Sequence, residues 1–220
     1  MAAAPVPVRA LVVPVHVQEA ADRGQRLLAL KFQSPTSGDV ESVKSDMSNA
    51  IFKTAPYNPP HLFVADTLYM LTASVYKKAH LIKSAQRKLE WQAAFHEAAK
   101  IYHWQIIAWV VLHNHYHAIV HSPEHADNLS KFINSYHKFT ARKWNGEEGL
   151  SGRKIWWNYW DTCIRSERDY DTRLRYIFWN PVKHGLVEKA EDYSFSNYTE
   201  YLNQGFDCIG TEEVNDVPEF

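Results

Sequence analysis

Cysteine is almost absent: Cys163 and Cys208 are the only two in 220 residues. Two thiols without Cys-x-x-Cys spacing cannot build a disulfide framework, and a reducing cytoplasm is the expected setting. Long apolar runs are missing too, and no stretch approaches the ~18 to 20 residues a membrane span requires. The opening segment Met1 to Val17 is rich in Ala, Val and Pro, but Pro5, Pro7 and Pro14 interrupt it. It therefore lacks the unbroken hydrophobic core of a signal peptide and reads as an unstructured extension. Internal repeats are absent. Net charge is small as well, at −1.

The near-neutral total hides an uneven distribution. Residues 61–186 hold 17 Lys+Arg against 11 Asp+Glu, a surplus of six positive charges. Residues 187–220 hold one Lys against nine acidic residues, a deficit of eight. A basic core with an acidic tail suits a nucleic-acid partner better than the average suggests. At 45% hydrophobic the chain can bury one core, and one domain with tails is expected. Residues 1–60 form an extension expected to be poorly structured, 61–200 the domain, and 201–220 an acidic tail.

Within the domain, Thr67 to Tyr76 alternates like a strand. Ser84 to Tyr102 places Trp91, Phe95, Ala98 and Tyr102 at helical spacing, with Lys88, Glu90 and Glu97 elsewhere on the helix. Ile106 to Leu112 is a continuous apolar strand, and His113-Asn114 is a plausible tight turn into a second strand, His115 to His121. Asp127 can cap a helix that turns Leu129, Phe132, Ile133, Tyr136 and Thr140 inward. Lys131, Lys138 and Arg142 fall on its opposite face, either as a solvated stripe or as a ridge tracking phosphates. A glycine-containing loop from Gly149 to Lys154 leads into the aromatic strand Ile155 to Trp160, whose exposed rings beside Arg153 and Lys154 would suit base stacking.

Two patterns carry chemistry. On a strand, His115 and His117 share one face while Tyr116 points to the other, which looks like half of a metal site. Ser166 followed by Asp169 matches a capping box for a helix running from Glu167 to about Trp179, with Pro181 marking its far end. Along that helix Leu174, Ile177 and Phe178 form an apolar stripe. Tyr176 and Asn180 lie one turn apart on a common face.

His-x-His on a strand, followed some sixty residues later by Tyr176-Ile177-Phe178-Trp179-Asn180-Pro181-Val182-Lys183-His184-Gly185, resembles the HUH single-tyrosine transposases, most closely the REP-associated tyrosine transposases. The resemblance runs from about His61 to Tyr198 and takes in Tyr69-Met70-Leu71-Thr72-Ala73, Ala108-Trp109-Val110-Val111 and Asp192-Tyr193-Ser194-Phe195-Ser196. One departure stands at His113, where the family usually carries proline, so His113 is either a third ligand or a turn residue.

The resemblance implies an α+β architecture, a small antiparallel sheet backed by helices in the ferredoxin-like HUH nuclease fold. It implies a metal-dependent single-stranded DNA endonuclease and strand transferase acting at hairpin-containing DNA, as a monomer or homodimer. Tyr176 would attack the backbone and form a 5′-phosphotyrosine link, with Tyr170 as the substitute nucleophile. His115 and His117 as neutral imidazoles, with Asn180 through its carbonyl oxygen, form a mixed donor set with open positions. Such a set suits Mg²⁺ or Mn²⁺ better than a closed structural zinc site. Lys131, Lys138, Arg142, Arg153 and Lys154 are the candidate DNA-binding cations. Two other readings compete: a hairpin-binding protein without catalysis, and a zinc-binding structural protein using His113, His115, His117 and His121.

Overall fold

The computed structural model describes residues 51–53, 61–124 and 126–203. Most of the N-terminal extension and the acidic tail beyond Asn203, Cys208 included, lie outside the described residues. Short strands β1 (Ile51–Lys53) and β2 (His61–Phe63) pair antiparallel. The domain then runs β3 (Leu68–Val75), α1 (Ala85–Tyr102), β4 (Gln105–Val111), β5 (His115–His121), α2 (Leu129–Glu147), β6 (Trp156–Cys163), α3 (Glu167–Lys183) and α4 (Tyr198–Asn203). Strands β4, β5, β3 and β6 lie in that order in one antiparallel sheet. The βαββαβ succession with this order is the ferredoxin-like arrangement, so the α+β expectation holds. Among the described residues no helix is long and apolar enough to cross a membrane.

The sheet has two buried faces because its strands alternate between two cores. Tyr69, Leu71 and Ala73 of β3, with Tyr116, Ala118 and Val120 of β5, pack under α1 and α2. Met70 of β3 and Ile119 of β5 face α3 and the segment after it. The α1–α2 core is an aromatic lattice: Trp91 is fully buried, with ring centroids 4.9 Å from Phe95 and 4.7 Å from Tyr116. Its tyrosine hydroxyls are paired, whereas the Trp91 indole N–H has no partner among the described residues. Tyr116 Oη lies 2.6 Å from Tyr136 Oη and 3.0 Å from His137 Nε2. His137 stacks on Trp156, whose indole N–H donates to Thr140 Oγ1.

Helix ends show where local signals held and where they did not. Ser84 and Ser166 cap α1 and α3 by accepting from the N–H groups of Arg87 and Asp169. Asp127 does not cap α2. It lies in a 3-10 turn, and the flanking Asn128 uses its side chain on Trp104 Nε1 and Tyr102 O. Pro181 does not end α3, which continues to Lys183. The stop is Gly185 at φ 63°, with Leu186 N–H bonded to Pro181 O and Gly185 N–H to Val182 O. Those two bonds form a Schellman motif, in which a left-handed glycine rather than the proline terminates the helix.

Lys88 departs from the polar position the helical pattern gave it. Only 3% exposed, it donates from Nζ to Tyr193 Oη at 2.8 Å and lies over the rings of Tyr193 and Phe195. Tyr193 Oη in turn donates to Val111 O, so α1 is tied to the segment after α3. Burial lowers the Lys88 pKa to about 8. The unfolded chain keeps this proton to about pH 10.4, so between these values the unfolded state holds more protons and folding stability rises with pH. Denaturant melts are expected to show wild type gaining on the order of 1–3 kcal/mol from pH 8 to pH 10 relative to Lys88→Met, which shares the ionisation of the unfolded tyrosines but lacks this lysine. An equal rise in that variant would remove Lys88 as its source.

Candidate active site

The site is built on the α3-facing side of β5. Cα pairing sets Ser74 of β3 opposite His115, and Thr72 opposite His117. Each imidazole is held through Nδ1. His117 Nδ1 lies 2.8 Å from Thr72 Oγ1. His115 Nδ1 lies 2.7 Å from Asn114 Oδ1, while Asn114 Nδ2 donates to Lys78 O. With the Asn114 amide oriented by that second bond, its Oδ1 can only accept, so His115 Nδ1 carries the proton, which in the neutral ring puts the lone pair on Nε2. Thr72 can fix the same tautomer at His117. This is how a ligating histidine is usually oriented by its neighbours.

Helix α3 brings the second half. Tyr176, Asn180, Lys183 and His184 follow helical spacing along one face. The Tyr176 ring meets His117 edge-on at 5.0 Å between centroids, and the His184 ring lies 5.1 Å from His115, itself 5.1 Å from His117. Lys183 Nζ is 5.5 Å from the Tyr176 ring centre. Asn180 is fully buried. Among the described residues, Asn180 Oδ1 and Nδ2 and His117 Nε2 have no hydrogen-bond partner. A buried unpaired polar group costs about 1–3 kcal/mol, and such groups mark places where proteins hold ions or water. The unpartnered imidazole nitrogen of His117 and amide oxygen of Asn180, with the imidazole of His115 beside them, are donor types that suit a divalent cation.

Electrostatics agree with that fit. Burial, followed by the neighbouring His115, His184, Lys183 and Lys78, pushes His117 well below the ordinary imidazole range. It is neutral at physiological pH, the form that can ligate a metal. The cations Lys78 and Lys183 give the site a positive field suited to a phosphate.

The structure separates the other sequence candidates. His113 sits in the β4–β5 turn with its ring 5.8 Å from His80, and its carbonyl accepts from Ile82 N–H. His121 shares the β5 face but pairs through Nε2 with Asp66 Oδ1 at 2.9 Å. Among the described residues no three of His, Cys, Asp or Glu converge in metal-holding geometry, so the four-histidine zinc arrangement does not assemble. Tyr170 is buried among the residues around Leu174 and Tyr201 and is not in ring contact with the histidine pair; burial raises its pKa.

Lys131, Lys138 and Arg142 are exposed on the outer face of α2, on the opposite side of the sheet from Tyr176. Lys138 and Arg142 line a shallow depression there with Ser135, Phe139 and Lys143. Arg153 is tied up as a loop clamp: it donates to Asn145 Oδ1 and to Glu148, which also pairs with Arg87. Lys154 is exposed with Nζ 4.0 Å from the Trp157 ring centre. His184 and the orienting residues Thr72 and Asn114 were missed by sequence reasoning. Eight positions after Tyr176 and one turn after Asn180, His184 falls on the same helical face once the helix is carried past Pro181.

This is the fold of a transposase family. The family model described as "Transposase IS200 like" matches residues 64–178, just over half of the chain, and the chain belongs to that family. The match includes His115, His117 and Tyr176 and stops two residues before Asn180. A REP-associated tyrosine transposase of Escherichia coli (strain K12) is 34% identical over 117 residues, covering 53% of this chain and 66% of that protein. A relative from Haemophilus influenzae (strain ATCC 51907 / DSM 11121 / KW20 / Rd) is 31% identical over 123 residues, 50% of this chain and 67% of that protein. This chain thus spans about two thirds of the length of these relatives. A solved REP-associated tyrosine transposase bound to a REP hairpin matches with a TM-score of 0.61 at 25% identity, over 74% of this chain and 95% of that one.

Proposed function

We propose that the protein is a metal-dependent single-stranded DNA endonuclease and strand transferase that works at hairpin-containing DNA through a 5′-phosphotyrosine intermediate. The observation that carries this reading is the edge contact of Tyr176 with His117, one helical turn from an Asn180 whose buried amide has no partner among the described residues. His115, His117 and Asn180 would hold Mg²⁺ or Mn²⁺. Bound there, the cation would supply charge withdrawal and alignment at the scissile phosphate. A free tyrosine with a pKa near 10 is phenolate in only about one molecule in a thousand at pH 7. Lys183 Nζ, 5.5 Å from the Tyr176 ring centre, places a positive charge beside the proposed nucleophile.

In the proposed step Tyr176 Oη loses its proton and bonds to phosphorus, the bond from phosphorus to the 3′-oxygen breaks, and that oxygen takes up a proton. The phosphodiester energy stays in the tyrosyl ester. Attack by another 3′-hydroxyl reverses the chemistry and joins a new strand without ATP. The direct experiment incubates a labelled REP hairpin carrying unpaired flanks with the protein in Mn²⁺ and in EDTA. A denaturation-resistant protein–DNA band in Mn²⁺ alone is the expected result. Its absence would favour the second reading, a hairpin-binding protein without turnover, which the 5% exposure of Tyr176 also favours.

The α2 cations offer a separate test. If Lys138 and Arg142 follow hairpin phosphates, charge reversal at both should flatten the dependence of log affinity on log salt, by roughly 0.7 to 0.9 for each phosphate no longer neutralised. An unchanged slope would make this ridge a solvated helix face.

A further inference from the structure

We propose that Trp157 and Tyr76 form a stacking platform for an unpaired base next to the hairpin foot, with Lys154 and Lys77 supplying its positive charge. The inference rests on the DNA-processing reading above. It begins with a bulge in β6. Between the pairs Ala73↔Tyr159 and Val75↔Trp156, β3 has the single residue Ser74 and β6 has two, Trp157 and Asn158. Ser74 is also the partner of His115 on β5. One row therefore crosses three strands from His115 through Ser74 to the bulge. Neighbouring strands lie about 4.8 Å apart, so the Trp157 backbone is roughly 10 Å from that of His115. At about 3.4 Å per stacked nucleotide, a strand leaving the histidine site covers that span within some three steps.

Bulges re-aim side chains, and this one presents an aromatic surface to water. Trp157 is 48% exposed although its neighbour Trp156 is buried against α2. Its ring stacks on Tyr76 at 5.2 Å and 28°. Lys154 Nζ lies 4.0 Å from the Trp157 ring centre and 5.4 Å from that of Tyr76, with Lys77 Nζ 5.5 Å from Tyr76. Two flat rings with two ammonium groups are the elements of single-strand recognition: stacking on any base, and charge for the backbone. The charge complementarity selects a nucleic-acid strand over an apolar partner.

The platform is also locked to the histidine site. Tyr76 N–H bonds to Ile155 O, and the two residues after it take left-handed backbone at φ 56° for Lys77 and φ 54° for Lys78. That conformation is unfavourable for residues other than glycine. Asn114 secures it by donating from Nδ2 to Lys78 O, and the same amide orients His115. One side chain sets both the imidazole and the turn that carries Tyr76.

The test is metal-free binding in EDTA, comparing a REP hairpin without flanks with the same hairpin carrying short unpaired thymidine flanks. Stacking contributes about 1–3 kcal/mol per base, so Trp157→Ala should weaken the flanked hairpin by about 5- to 150-fold. Affinity for the bare hairpin should stay unchanged, which also shows that the variant is folded. Trp157→Phe, which keeps an aromatic face, should restore most of the loss. A 2-aminopurine in the flank should be quenched by wild type and not by Trp157→Ala. Equal losses on both oligonucleotides, or none, would overturn the platform while leaving the nuclease reading to its own adduct assay. If wild type binds neither oligonucleotide, both readings fall.

Discussion

Tyr176→Phe is expected to lose at least about three orders of magnitude of covalent adduct formation while binding the hairpin within about twofold of wild type. Only the nucleophilic oxygen is removed. The ring that meets His117 edge-on remains, and the α3 stripe of Leu174, Ile177 and Phe178 stays buried. Tyr170→Phe should retain the adduct, because Tyr170 is not in contact with the histidines. The measurement is a denaturing gel of labelled hairpin in Mn²⁺ with both variants. Adduct from the Tyr176 variant and none from the Tyr170 variant would reverse the assignment.

The second large effect concerns the metal. His117→Ala should lower Mn²⁺ affinity at least about 100-fold by calorimetry, and Thr72→Val about 10- to 100-fold by freeing the imidazole from its orienting partner. Asn180 gives a signature that a purely structural residue would not. Asn180→Leu replaces two buried unpaired polar atoms with apolar ones, so the metal-free variant should be more stable than wild type by about 1–3 kcal/mol. The same variant should lose most of the melting-temperature rise that Mn²⁺ gives wild type. Asn180→Asp should keep or tighten metal binding, since it adds a charged oxygen. If Asn180→Leu destabilises the metal-free protein and binds Mn²⁺ normally, Asn180 is a packing residue.

The legible parts of the fold were those set by short-range periodicity. Strand alternation placed His115 and His117 together on β5, and helical spacing placed Tyr176 and Asn180 on one face of α3. The hairpin, the inward face of α2 and the Ser166 cap were equally local. Illegible were features decided by distant partners. Lys88 is buried because Tyr193, 105 positions later, accepts its hydrogen bond. Arg153, read as a DNA contact, is taken up by Asn145 and Glu148 once the loop closes. His184 is hidden by the local signal of Pro181, which marks an earlier end to α3 although it lies within the last turns and Gly185 makes the stop.

The bonds Leu112 N–H to His115 O and Val75 N–H to Asn114 O fix the length of the β4–β5 turn, and that length decides which residues of β5 belong to which face. Because strand side chains alternate, adding one residue between Leu112 and His115 would invert the assignment of the strand. Tyr116 and Ala118 would turn toward α3, and the two imidazoles would be driven into the aromatic lattice beneath Trp91. The turn is therefore intolerant of insertion and deletion even at positions where substitution is mild, and its length, more than any one side chain in it, divides the strand between packing and chemistry.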